Sequence, residues 1–232
     1  MQAYTYLLVN FMSVIVCFIF SFHKRIQFNK HFAAFFKACA LAAIPFVAWD
    51  IWFTKTGVWS FNSSYTLGLK IAGLPIEEWL FFVCIPFSCV FTFFWLDKFF
   101  NLSRANKYTG YIVWITLIVC IIVAVFFNHH IYTFVTAVFT AITVFYLHYI
   151  VKVHWIGEAS LVFFILMPAF FLVNGVLTGT GLASAIVNYN SKQILNIRMG
   201  TIPVEDTVYG YSQFLLTIYF FKIFQKTNSN EK

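Results

Sequence analysis

Leu74-Pro75-Ile76-Glu77-Glu78-Trp79-Leu80-Phe81-Phe82 sets two adjacent carboxylates at the start of a strongly apolar run. A second stretch, Ile202-Pro203-Val204-Glu205-Asp206-Thr207-Val208-Tyr209, has the same design. The two pairs hold half of the eight acidic residues in the chain. A carboxylate pair at the mouth of a membrane helix is costly to keep there and marks a functional site by default. The surroundings recur as well. At a spacing of 128 residues, Asn62-Ser63 meets Asn190-Ser191, Leu67 meets Leu195 and Lys70 meets Arg198. Upstream, at 124, Asp50, Thr54, Thr56 and Gly57 meet Asn174, Thr178, Thr180 and Gly181. The matched positions are mostly polar, Gly or Pro and keep their order, which points to an internal repeat with four extra residues in its second loop.

The composition says where this repeat lives. Hydrophobic residues make up 61% of the chain and charged residues 10%, too little charge for the surface of a soluble domain. Apolar stretches near the length that crosses ~30 Å of hydrocarbon lie at 4–22, 32–53, 76–96, 109–127, 131–151, 159–177 and 204–221. The expected fold class is an all-α integral membrane protein with about seven transmembrane helices. Residues 1–100 form the first repeat, 101–128 a connector helix and 129–232 the second repeat. The single connector makes the two three-helix halves parallel, with a pseudo-twofold axis along the membrane normal.

Orientation follows from the cations. With the N-terminus outside, the inner segments hold Lys24, Arg25, Lys30, Lys37, Lys98, Arg104, Lys107, Lys152, Lys222, Lys226 and Lys232, and the outer ones only Lys55, Lys70, Lys192 and Arg198. The expected location is the cell membrane, multi-pass, with the C-terminus cytoplasmic and both acid pairs toward the outer leaflet. No charged side chain precedes the first apolar run, so it does not read as a cleaved leader. The net charge of +7 reads as topogenic and lipid-facing charge, not as a nucleic-acid surface.

Several chemistries find no support. The five cysteines fall inside apolar segments without a C-x-x-C spacing and read as packing residues. The six histidines are scattered over both membrane faces, so no metal site is expected. No glycine fingerprint follows a strand, so no dinucleotide site is expected either. The last span has no lysine before Lys222, which argues against a retinal Schiff base.

The acids remain. Two adjacent carboxylates in a dehydrated site cannot both ionise cheaply, so one holds a proton while its neighbour acts as a base. That suits moving a proton onto one atom of an apolar substrate and off another, without a redox cofactor. Asp50, between Trp49 and Trp52, pairs in the repeat with the neutral Asn174, so the two halves need not do equivalent jobs. Trp59, Phe61 and Tyr65 crowd the loop before the first pair, and aromatic faces stabilise cations.

At these residues the chain resembles the lycopene cyclase family of the heterodimer type, as two tandem cyclase domains fused in one chain. The resemblance rests on Trp49-Asp50, Gly57-Val58-Trp59-Ser60-Phe61-Asn62 and Leu74-Pro75-Ile76-Glu77-Glu78 in the first domain. In the second it rests on Asn174-Gly175, Asn188-Tyr189-Asn190 and Ile202-Pro203-Val204-Glu205-Asp206. It implies a non-redox lycopene β-cyclase that turns lycopene into γ-carotene and then β-carotene in the bilayer, with no cofactor. Glu77, Glu78, Glu205 and Asp206 are the expected proton-transfer residues, supported by Asp50, Trp49, Trp59, Asn62, Pro75, Asn174, Asn190 and Pro203. Two alternatives stay open here: a cyclase of C50 carotenoids, and a proton-coupled carrier, which would need a polar path to both faces. Homo-oligomerisation, and closure of one end or both, stay open too.

Overall fold

The computed structural model describes residues 2–230, with side chains as far as Lys226; Lys232, counted among the inner cations, lies outside. Seven helices carry the chain: α1 Thr5–Ser21, α2 Phe32–Thr56, α3 Ile76–Phe99, α4 Thr109–Phe126, α5 Ile131–Phe145, α6 Ile156–Leu177 and α7 Val204–Asn230. A short π-helical stretch, Tyr146–Ile150, extends α5. The fold is all-α, as expected. Among the described residues, six helices are long and apolar enough to cross a membrane. The exception, α7, has a physical reason. It packs against α2, α3, α5 and α6 and buries Glu205, Asp206, Ser212, Gln213 and Thr217, so its polar residues meet protein where the other helices meet lipid.

Short strands link α2 to α3 and α6 to α7. They are β1 Trp59–Phe61, β2 Lys70–Ile71 and β3 Leu74–Pro75 in the first half, and β4 Val187–Tyr189, β5 Arg198–Met199 and β6 Ile202–Pro203 in the second. Each half closes a hairpin, β2 with β3 and β5 with β6. The remaining two strands pair across the repeat. β1 and β4 run antiparallel with Trp59 opposite Tyr189, Ser60 opposite Asn188 and Phe61 opposite Val187. At the 128 spacing Ser60 and Asn188 are repeat mates, so the pseudo-twofold passes through their pair. The flanking bonds obey it: Asn62 N–H donates to Ile186 O at 2.8 Å and Asn190 N–H to Val58 O at 2.8 Å. The change of spacing from 124 to 128 falls just after Gly57 and Gly181, both at positive φ (71° and 77°), where the second loop takes up its four extra residues.

The helices follow the same symmetry with one departure. α1 packs on α3 and α5 packs on α7, as mates should. Yet α2 lies closely along α7, whereas its mate α6 stands off from α3. Away from the strands, Phe28, Phe35, Phe87, Phe91, Phe93, Phe214 and Phe221 fill the bundle with a dense aromatic core. The chain between α3 and α4 clasps α6 at that end. Asn106 Nδ2 donates to Glu158 Oε1 (2.7 Å) and the Glu158 N–H to Asn106 Oδ1 (3.0 Å). Gly157 permits the approach, since a Cβ there would fall 2.3 Å from the Ala105 carbonyl oxygen.

Candidate active site

The gap between α3 and α6 is a cavity of about 630 Å³, a size ordinary for a small-molecule site. Four helices wall it with stripes at helical spacing: Tyr6, Val9 and Ser13 from α1, Phe81, Ile85 and Ser88 from α3. α6 adds Phe163, Phe170 and Val173, and α7 adds Tyr209, Gln213 and Thr217. Trp59, Phe61, Val187 and Tyr189 of the β1–β4 ribbon also line it, so the ribbon acts as its roof. Leu8, Met12 and Leu172 line the cavity and are also 57%, 61% and 75% exposed on the outside of the bundle. The cavity therefore opens sideways between α1 and α6.

Three carboxyls converge under the roof: Asp50 from α2, Glu78 from α3 and Asp206 from α7. All three are buried. Asp206 accepts on both oxygens, with Tyr132 Oη donating to Oδ1 at 2.7 Å and Tyr189 Oη to Oδ2 at 2.9 Å. Burial, with the Asp206 charge beside it, pushes the Tyr189 phenol well above its usual range, so Tyr189 stays a donor. The Arg198 guanidinium sits 6.0 Å over the Tyr189 ring. Glu78 Oε2 receives Tyr6 Oη at 2.5 Å, and Asp50 Oδ1 receives Trp59 Nε1 at 2.7 Å. Asp50 Oδ2 meets no hydrogen-bond partner among the described residues, and Asp50 and Glu78 share the cavity wall. Two buried carboxyls close together cannot both ionise cheaply.

Glu77 and Glu205 sit elsewhere. Each lies in the first turn of its helix, one residue before the cavity acid, and faces the preceding loop. Glu77 Oε1 accepts the Leu67 N–H at 2.6 Å, and Glu205 Oε1 accepts the Leu195 N–H at 2.7 Å and Thr133 Oγ1 at 2.6 Å. Neither lines the cavity. Asn62 and Asn190 fasten the ribbon instead of facing the acids. Asn62 Nδ2 reaches Ser184 Oγ (2.9 Å) and Asn190 Nδ2 reaches the Gly57 carbonyl (3.2 Å), each in the opposite half. Pro75 and Pro203 close the hairpins opposite Lys70 and Arg198. Asn174 does line the cavity. Trp49 does not; it stacks on Phe46 and meets Tyr132, Phe139 and Tyr209 edge to face.

Reading the sequence for acids left out the phenols. Tyr6 and Tyr132 bond Glu78 and Asp206 in equivalent fashion. They lie 126 apart, a third register between the 124 and 128 of the later elements. A repeat search carried upstream into α1 and α5 would have paired them.

The family model described as lycopene cyclase matches residues 3–96 and, a second time, residues 129–224. The chain belongs to the lycopene cyclase family. The two matched segments are the two halves related by the ribbon, and the unmatched stretch between them contains α4. No curated protein and no solved structure matches the chain. Membership in the lycopene cyclase family implies a cyclase acting on apolar carotenoids, and the apolar cavity with its three roofed carboxyls is where such chemistry has room.

Proposed function

We propose that the protein is a lycopene β-cyclase with Asp50, Glu78 and Asp206 as its proton-transfer groups. The observation that carries this reading is the convergence of these three carboxyls at the roofed end of an apolar, sideways-open cavity. A proton carried by Asp50 or Glu78 adds to C2 of an acyclic end. The C5–C6 double bond then attacks the C1 cation and forms the C1–C6 bond. Asp206, an acceptor from two phenols, removes the proton from C6 and restores the C5–C6 double bond. One proton enters, one leaves, and no electrons change hands. Trp59, Tyr132 and Tyr189, whose ring centroids lie 5.2–5.9 Å apart, offer aromatic faces to the transient cation.

In this reading Glu77 and Glu205 are positioning residues that hold the loop onto the helix start, and proton transfer belongs to their neighbours. A proton-coupled carrier fits less well. Such a carrier needs a polar path to both faces, and beyond Gln213 and Thr217 the bundle is closed by the aromatic core. We further place the N-terminus outside and both acid pairs toward the outer leaflet, on the distribution of cations.

Purified protein in lipid, dialysed against chelator and given lycopene without flavin or nicotinamide, should form β-rings. A strict requirement for reduced flavin would contradict the mechanism. Rings of the ε type would move the base away from C6.

A further inference from the structure

Resting on the cyclase reading above, we infer that the chain has one working compartment for a substrate with two reactive ends. It closes one end per visit and releases a monocyclic intermediate into the membrane between closures. The pseudo-twofold relates the cavity to a second compartment bounded by α2, α3, α5 and α7, and that compartment is filled. Phe46, Trp49 and Phe82 are buried in it, with Phe139, Tyr209 and Leu216 packed against them. Trp49 lies 5.1 Å from Tyr209 and 5.9 Å from Phe139, ring to ring.

The repeat spacings name what stands in place of each filler on the hollow side. Trp49 corresponds to Val173 at 124, and Phe139 to Ser13 at the 126 that joins Tyr6 to Tyr132. Phe82 and Leu216 correspond to Gly210 and Ser88 at 128. Val173, Ser13, Gly210 and Ser88 all line the cavity. Four large side chains on one side of the pseudo-twofold thus face Val, Ser, Gly and Ser on the other. The filled compartment lies where α2 packs along α7, and the hollow one where α6 stands off from α3.

Length settles how much substrate fits. The α7 wall from Asp206 to Thr217 is about 17 Å long at the ~1.5 Å rise of a helix. An extended chain of roughly thirty skeletal bonds is about 35 Å long, at the ~1.2 Å per bond of an extended backbone. About half of a linear C40 carotenoid is housed. The rest leaves through the opening beside Leu8, Met12 and Leu172 and lies in lipid, where no carboxyl waits for it. Closing the second end requires the half-closed molecule to leave and return reversed.

The test uses the whole protein in lipid nanodiscs with an excess of labelled lycopene. Labelled monocyclic carotene should appear first and bicyclic product after a lag, and unlabelled monocyclic carotene added in excess should dilute the label in the bicyclic product in proportion. A monocyclic end product supports the inference equally. Labelled bicyclic product without a lag and undiluted by the chase would overturn it. Failure to form any ring would instead strike the cyclase reading. Val173→Trp copies the filled compartment and tests the site itself. Lycopene should no longer quench the protein's tryptophan fluorescence, with thermal melting retained. Undiminished quenching and turnover in Val173→Trp would place the working compartment elsewhere and overturn the inference.

Discussion

Glu77 and Glu78 are adjacent on one turn of α3, so a rotation of about 100° sends one carboxyl to a loop amide and the other into the cavity. The same rotation separates Glu205 from Asp206 on α7. Glu78→Gln and Asp206→Asn keep size and hydrogen-bonding capacity but remove the titrating proton. Each should cut the rate by at least the ~10²-fold typical of general acid–base catalysis, read as ring formation by purified protein. Glu77→Gln keeps an amide oxygen for the Leu67 N–H and should lose far less, whereas Glu77→Ala should lower the melting temperature as the loop is released. The doubled acid pair was legible in the sequence because Pro-x-acid-acid is a local pattern. Which member faces the cavity depends on where the loop amides fall, and those are ten residues upstream of Glu77 and of Glu205 in the chain.

The β1–β4 ribbon is the element that ties the halves into one site. Because Ser60 and Asn188 sit on the pseudo-twofold, Trp59 and Tyr189 come directly opposite each other, and each holds one carboxyl. Bonded pairs alternate along an antiparallel ladder, and the bonds at Asn62 and Asn190 place Ser60 with Asn188 among them. Ser60→Pro removes the N–H at the centre. It should cost at least the ~1 kcal/mol of one ladder bond and reduce turnover, because Trp59 and Tyr189 lose their register. Melting and activity on the same preparation check both; an unchanged melting curve would argue that the ribbon does not hold the halves together. The ribbon was not legible in the sequence. Three-residue strands carry too little periodicity to read, and only the match of Asn62 with Asn190 hinted at their kinship.

At the scale of the molecule, the seven helices and their parallel halves were legible because span length is set by the bilayer and a single connector helix turns the second half the same way round. The asymmetry between compartments was carried by Trp49 against Val173 and Phe82 against Gly210. Apolar substitutions of that kind cannot be told from chance in membrane helices until the registers are fixed in space. Topology has its own check: a membrane-impermeant thiol reagent should label Ser63→Cys and Ser191→Cys from outside intact cells and Lys226→Cys only after permeabilisation. Labelling Ser63→Cys and Ser191→Cys from opposite sides would break the parallel arrangement. In the proposed mechanism, cyclisation runs on the acids inside the cavity. Its most direct test is pigment analysis of lycopene-accumulating cells expressing the native chain, Glu78→Gln or Glu77→Gln. Cyclic carotenes are expected from the native chain and from Glu77→Gln, and unconverted lycopene from Glu78→Gln. Normal β-carotene from Glu78→Gln, with loss of cyclisation in Glu77→Gln, would contradict the mechanism.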